Sequence, residues 1–83
     1  MNKVLKFSAS WCLPCKALSQ VIKSNPPEVE VEELDVDTAV EQRKAFDIRS
    51  VPTLVFLKNG VEAGRITGSI GAGRLKQFID SYN

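Results

Sequence analysis

Apolar and polar positions change their period several times along the chain, and each change marks an element. The segment "KVLKFS" (residues 3–8) is rich in Val, Leu and Phe and reads as a β-strand. Across residues 12–24, Leu18, Val21 and Ile22 fall at i, i+3 and i+4, the stripe of an amphipathic helix that ends before "NPP" at 25–27. "VEVEELDV" (29–36) opens in strict alternation and reads as a second strand. "TAVEQRKAFDI" (38–48) suits a short helix with Asp37 or Thr38 as its cap. "TLVFLK" (53–58) and "VEAGRIT" (61–67) flank Asn59-Gly60, and both turn residues tolerate positive φ, so this stretch is a hairpin. Leu75, Phe78, Ile79 and Tyr82 then return to helical spacing. The predicted order is βαβαββα.

The bulk composition narrows the setting. No repeat, low-complexity tract or linker divides the 83 residues, so 1–83 reads as one domain. A chain of this size buries somewhat over ~60% of its unfolded surface and folds with little stability to spare. The hydrophobic and charged fractions, 43% and 25%, are ordinary for a soluble globular domain. The net charge of +1, with Lys and Glu interspersed, lacks the basic stripe that nucleic-acid binding as a main role would need. Apolar runs of a few residues are far short of the ~20 that span a bilayer. "MNKVLKFSAS" does not read as a signal peptide, which makes the cytoplasm the expected compartment.

Against that background the two cysteines, Cys12 and Cys15, carry the candidate chemistry. Their spacing suits half a zinc site, a structural crosslink or a redox pair. A structural zinc takes four ligands, and the chain has no His and no second CxxC, so carboxylates or a second chain would have to complete the site. An inert crosslink is unusual in a reducing compartment. The redox reading accounts for the placement. The pair follows a strand and opens a helix, whose N-terminus carries partial positive charge and unpaired N–H groups that favour a thiolate at Cys12. That placement predicts the first sulfur at the surface and Cys15 facing the body of the domain. Pro14 suits the first helical turn, where its missing N–H costs nothing. Lys16 adds positive charge, although an exposed Lys there is as readily plain solvated surface.

A CxxC beside a βαβ pattern is also a thioredoxin-like signature. "WCLPCK" (11–16) resembles the W-C-G-P-C-K of the thioredoxin family. "SVPTLVFLKNG" (50–60) resembles the family segment with its cis-proline and hairpin, and "TGSIGAGRLKQFI" (67–79) its final glycine turn and helix. The resemblance implies an α/β, thioredoxin-like fold with a four-stranded mixed sheet flanked by helices, lacking the first strand and helix of ordinary thioredoxins. It implies Cys12 as nucleophile and Cys15 as resolving thiol. Trp11, Leu13, Pro14, Val51, Pro52, Thr67 and Gly68 would form a substrate groove, with Pro52 cis and its backbone pairing with an extended segment.

Three departures from the family pattern stand out, the third involving two positions. Leu13 replaces the usual Gly and adds apolar surface at the groove rim. Gln20 stands where a helix-kinking Pro is common, so a straighter helix is expected. Lys6 occupies the position of a buried Asp, six residues before the nucleophile, and Glu33 stands where the family has the partner Lys. Glu33 is in phase with Val29 and Val31, which suggests a swapped ion pair with Glu33 as candidate proton acceptor for Cys15. The plainer reading leaves both groups solvated.

The resemblance thus implies a thiol–disulfide oxidoreductase reducing protein disulfides, monomeric, without cofactor or metal, recharged by a thioredoxin reductase. A glutaredoxin-like, glutathione-dependent reductase is one alternative, with the helix start at "GAG" (71–73) taking a carboxylate, although Gly71 also reads as a plain helix cap. A non-catalytic thioredoxin-like binding subunit is the other.

Overall fold

The computed structural model describes all 83 residues, Met1–Asn83. The elements are β1 (Asn2–Ser8), α1 (Leu13–Ser24), β2 (Glu30–Asp35), α2 (Val40–Ala45), β3 (Thr53–Lys58), β4 (Val61–Thr67) and α3 (Ala72–Tyr82). The four strands form one sheet in the order β2-β1-β3-β4. β1 runs parallel to β2 and antiparallel to β3, and β3 runs antiparallel to β4. The sheet is therefore mixed, as expected, and its two most apolar strands lie at its centre.

Alternation along β1 and β3 divides the core between two faces. On one face Val4, Leu54 and Phe56 pack against Leu18 of α1 and against Leu75, Phe78 and Ile79 of α3. On the other, Leu5, Phe7 and Val55 pack against Ile48 and, at the margin, Phe46, both just beyond α2. Helices α1 and α3 thus cover one side of β1 and the segment beyond α2 the other, and its C-terminal end is held within a packed layer.

The hairpin forms as read: Asn59 and Gly60 take φ of 54° and 83°, between strands paired from Thr53↔Thr67 to Lys58↔Val61. The pairing skips a residue, because Phe56 faces Gly64 while Leu57 faces Glu62. A Cβ placed on Gly64 would overlap the ring and hydroxyl of Tyr82. That ring is fixed by Phe56 and Phe78, each 5.5 Å away between centroids, so it cannot yield cheaply.

One element is shorter than its sequence pattern. A helix over 38–48 is expected, but α2 spans only Val40–Ala45, and its N-cap is Ala39 rather than Asp37 or Thr38. Asp35 is the cause. Its carboxylate accepts the Asp37 N–H at 2.8 Å, and its carbonyl accepts the N–H groups of Thr38 and Ala39 and the Thr38 hydroxyl. Both candidate caps are thereby drawn into a turn. At the other end Asp47, with φ of 52°, closes the helix: its N–H meets Lys44 O and the Ile48 N–H meets Arg43 O. This is the paired closure usually made by Gly. By contrast, α1 runs without interruption from Leu13 to Ser24.

Gly64→Ala is expected to destabilise the fold by about 1–3 kcal/mol, the usual cost of overpacking. In a Tyr82→Ala background the penalty should largely vanish. Urea denaturation of the four proteins measures this, and equal penalties in both backgrounds would remove the Tyr82 contact as the cause.

Candidate active site

The handover from β1 to α1 builds the centre of the site. Cys12 is the N-cap of α1, extended at φ −96° and ψ 106°. Its Sγ accepts the Cys15 N–H at 3.2 Å, so the sulfur occupies the place a Ser or Asp oxygen usually takes at a helix start. Leu13 and Pro14 form the first helical positions, and Pro14 takes a place where no N–H is needed. Cys12 and Cys15 are joined by a disulfide, with Cα atoms 5.2 Å apart.

Cys15 is 2% exposed and faces the body of the domain, as predicted. Cys12 is 4% exposed, which corrects the expectation of a surface sulfur. Sγ of Cys12 lies 3.8 Å from the carbonyl oxygen of Val51, and both cysteines pack with Ala9 against Val36 and Val51. The exposed groups beside them are Trp11 and Leu13, each about two-thirds exposed or more.

The facing wall comes from the loop before β3 and the end of β4. The Val51–Pro52 bond is cis, and Pro52 is buried. The Thr53 hydroxyl donates to Ser50 O, while the Gly68 N–H donates to Pro52 O at 2.9 Å, bringing the residues after β4 alongside the proline. Gly68 has φ of 92°, a conformation that disfavours any side chain. Thr67 pairs with Thr53 across the hairpin. On the α2 side, Trp11 and Val51 border a cleft of about 390 Å³ that also includes Asp37, Arg43 and Arg49. The indole N–H of Trp11 donates to Asp37 at 2.9 Å, which anchors an otherwise exposed ring.

Beneath the cysteines lies the swapped charge pair. β1 and β2 are in register at Lys6↔Glu33. Lys6 Nζ donates to Glu33 Oε2 at 3.1 Å and to Ser19 Oγ at 2.7 Å, while the Ser8 hydroxyl donates to the same Glu33 oxygen at 2.9 Å. The Lys6 side chain is 3% exposed and that of Glu33 is 61% exposed. The reading with both groups in water therefore holds for Glu33 alone. An ammonium this deep requires such partners. Lys6, Glu33, Ser8 and Ser19 line one pocket of about 360 Å³ together with Cys15. Hydrogen bonding from Lys6 holds the Glu33 carboxyl below its usual range, with help from Ser8 and against partial burial.

Ser8, Ser19 and Asp37 were absent from the sequence-level site. Two had a detectable signal: Ser19 follows Cys15 by four residues on α1, and Ser8 follows Lys6 by two on β1, so each shares its neighbour's face. Asp37 had none, because its contact with Trp11 depends on the turn made by Asp35. Nor does cleft size point to the cysteines: a cleft of about 550 Å³ lies between the loop after α1 and α3.

A CxxC disulfide capping a helix, opposite a cis-proline on a four-stranded mixed sheet, is the arrangement of a dithiol–disulfide exchange protein. Comparison with known proteins agrees. The family model described as Thioredoxin matches residues 1–81. Thioredoxin of Mycobacterium tuberculosis is 37% identical over 82 residues, covering 93% of this chain and 71% of the relative. Thioredoxin of Haemophilus influenzae is 32% identical over 83 residues, covering 95% and 78%. Among solved structures, a mutant thioredoxin from Halobacterium salinarum superposes with a TM-score of 0.89 at 31% identity, covering 98% of this chain and 74% of its own. Fasciola hepatica thioredoxin gives 0.85 at 31%, covering 99% and 81%. The chain belongs to the thioredoxin family, and it is a thiol–disulfide oxidoreductase. No helix is long and apolar enough to cross a membrane.

Because its carboxyl is held below the ordinary 4.5, Glu33 lends stability that is complete above that pH and lost as the pH falls through its lowered folded value. The contribution is small, under about 1 kcal/mol, because the group is largely in water. Glu33→Gln should flatten the acid limb of the stability–pH curve measured by urea denaturation. An identical limb in both proteins would contradict the pairing.

Proposed function

We propose that this chain is a reductant of protein disulfides, with Cys12 as nucleophile and Cys15 as resolving thiol. The observation that carries the reading is the Cys15 N–H directed at Cys12 Sγ. In the reduced protein the same N–H, with the helix N-terminus behind it, would favour a thiolate at Cys12. That thiolate attacks a substrate disulfide, forms a mixed disulfide and releases one substrate thiolate. Cys15 then loses its proton and attacks Cys12 Sγ. The Cys12–Cys15 bond forms, the mixed disulfide breaks and the second substrate thiolate leaves, so two electrons have passed to the substrate.

The groove surface assigned to Trp11, Leu13, Pro14, Val51, Pro52, Thr67 and Gly68 would hold the substrate segment. Its recharging partner is a thioredoxin reductase, drawing on NADPH. Glu33 would accept the Cys15 proton through water in the shared pocket, a role supported by its ionised state and its place in that pocket. Lys6 would hold Glu33 there.

Cys15→Ser should accumulate a mixed disulfide between Cys12 and a protein substrate, and Cys12→Ser should abolish turnover. NADPH consumption should couple through a thioredoxin reductase and fail through glutathione with glutathione reductase; the reverse preference would replace this reading with the glutathione-dependent one. Full biological activity in Cys12→Ser would favour the binding-subunit reading. Glu33→Gln should slow resolution near neutral pH by up to about a hundredfold. The gap should close as alkali deprotonates Cys15 directly, and an unchanged pH–rate profile would exclude Glu33 as acceptor.

A further inference from the structure

The mechanism above uses Lys6 only as a partner for Glu33, yet Lys6 is the more deeply buried of the two and is tied to α1 as well. Ser19 Oγ, 2.7 Å from Lys6 Nζ, lies one helical turn beyond Cys15 on the same face of α1. Residues so spaced have Cβ atoms about 5–6 Å apart. The ammonium is therefore held against α1 one turn along from Cys15, and both line the same pocket.

Other charges face that pocket: Lys16 from α1, and Glu33 and Asp35 from β2. Lys16 is exposed, and so is most of the Glu33 side chain, so water weakens their fields at the sulfur. Lys6, at 3% exposure, is screened least. Asp35 is half-buried and its carboxylate accepts the Asp37 N–H, so Lys6 is the most deeply buried charge facing Cys15.

We infer that the buried Lys6 ammonium stabilises the thiolate of Cys15, acting as a positioned charge that readies the resolving sulfur for attack. The inference rests on the assignment of Cys15 as resolving thiol. In the disulfide neither sulfur is charged, so the ammonium acts on the reduced protein alone. Once Cys15 ionises, the cation favours the dithiol state over the disulfide and raises the reduction potential in that pH range. Where the first strand of a redox domain carries a buried cation instead of a base, proton removal from the resolving thiol is assisted by charge rather than by proton capture alone.

The test is an equilibrium titration, separable from turnover. In Cys12→Ala, which leaves Cys15 as the sole thiol, ultraviolet thiolate absorbance is followed against pH with Lys6, Met, Gln or Arg at position 6. Lys6→Met and Lys6→Gln should each raise the Cys15 midpoint by about one pH unit, the low end for loss of a close opposite charge. Lys6→Arg should restore it. Gln keeps the capacity to hydrogen-bond Ser19 and Glu33, so it serves if Met disturbs folding. Equal midpoints in all four proteins, a lower midpoint in the neutral variants, or a rise in Arg as large as in Met would each overturn the inference. Failure of the reductase reading would appear instead in substrate turnover and leave these midpoints untouched.

Discussion

Everything at the active end of the molecule depends on β1 being a central strand buried on both faces. Its backbone is bonded to β2 on one side and β3 on the other, and its side chains are covered by α1 and α3 on one face and by the segment beyond α2 on the other. A strand so constrained delivers its last residue to a fixed point. The helix that follows must then begin there, which makes Cys12 an N-cap. The same strand brings β3 alongside, so the loop carrying Val51 and Pro52 arrives opposite the disulfide. Catalytic geometry here follows from sheet order more than from the residues between the cysteines.

Burial on both faces has a cost at Lys6. An ammonium in a central strand is tolerable only because Glu33 and Ser19 reach it from two different elements. The pair is lopsided, with the cation inside and the anion at the rim. Had both groups reached solvent, little electrostatic influence would remain.

How much of this was legible beforehand follows from the range of each interaction. The strands, the hairpin at Asn59-Gly60 and the helices α1 and α3 are written in local periodicity, and all appear at nearly the expected limits. The Lys6–Glu33 contact was also readable, because parallel register and side-chain phase are regular. The length of α2 was not: Asp35 captures the N–H of Asp37, and a side chain competing for backbone has no periodic signature. The burial of Cys12 was missed because helix-start geometry says where a sulfur begins, whereas Val51, thirty-nine residues on, determines what covers it.

The outer strand has a consequence of its own. β2 lies at one margin of the sheet and reads "EVEELD", so four of its six residues are acidic. Lys3 reaches across to Glu30 and Glu32 and offsets part of that charge. A margin of unpaired amides ordinarily invites a foreign strand. Here an identical margin from another copy would bring carboxylate against carboxylate. The strand that supplies Glu33 to Lys6 thus also gives the sheet a strongly acidic margin.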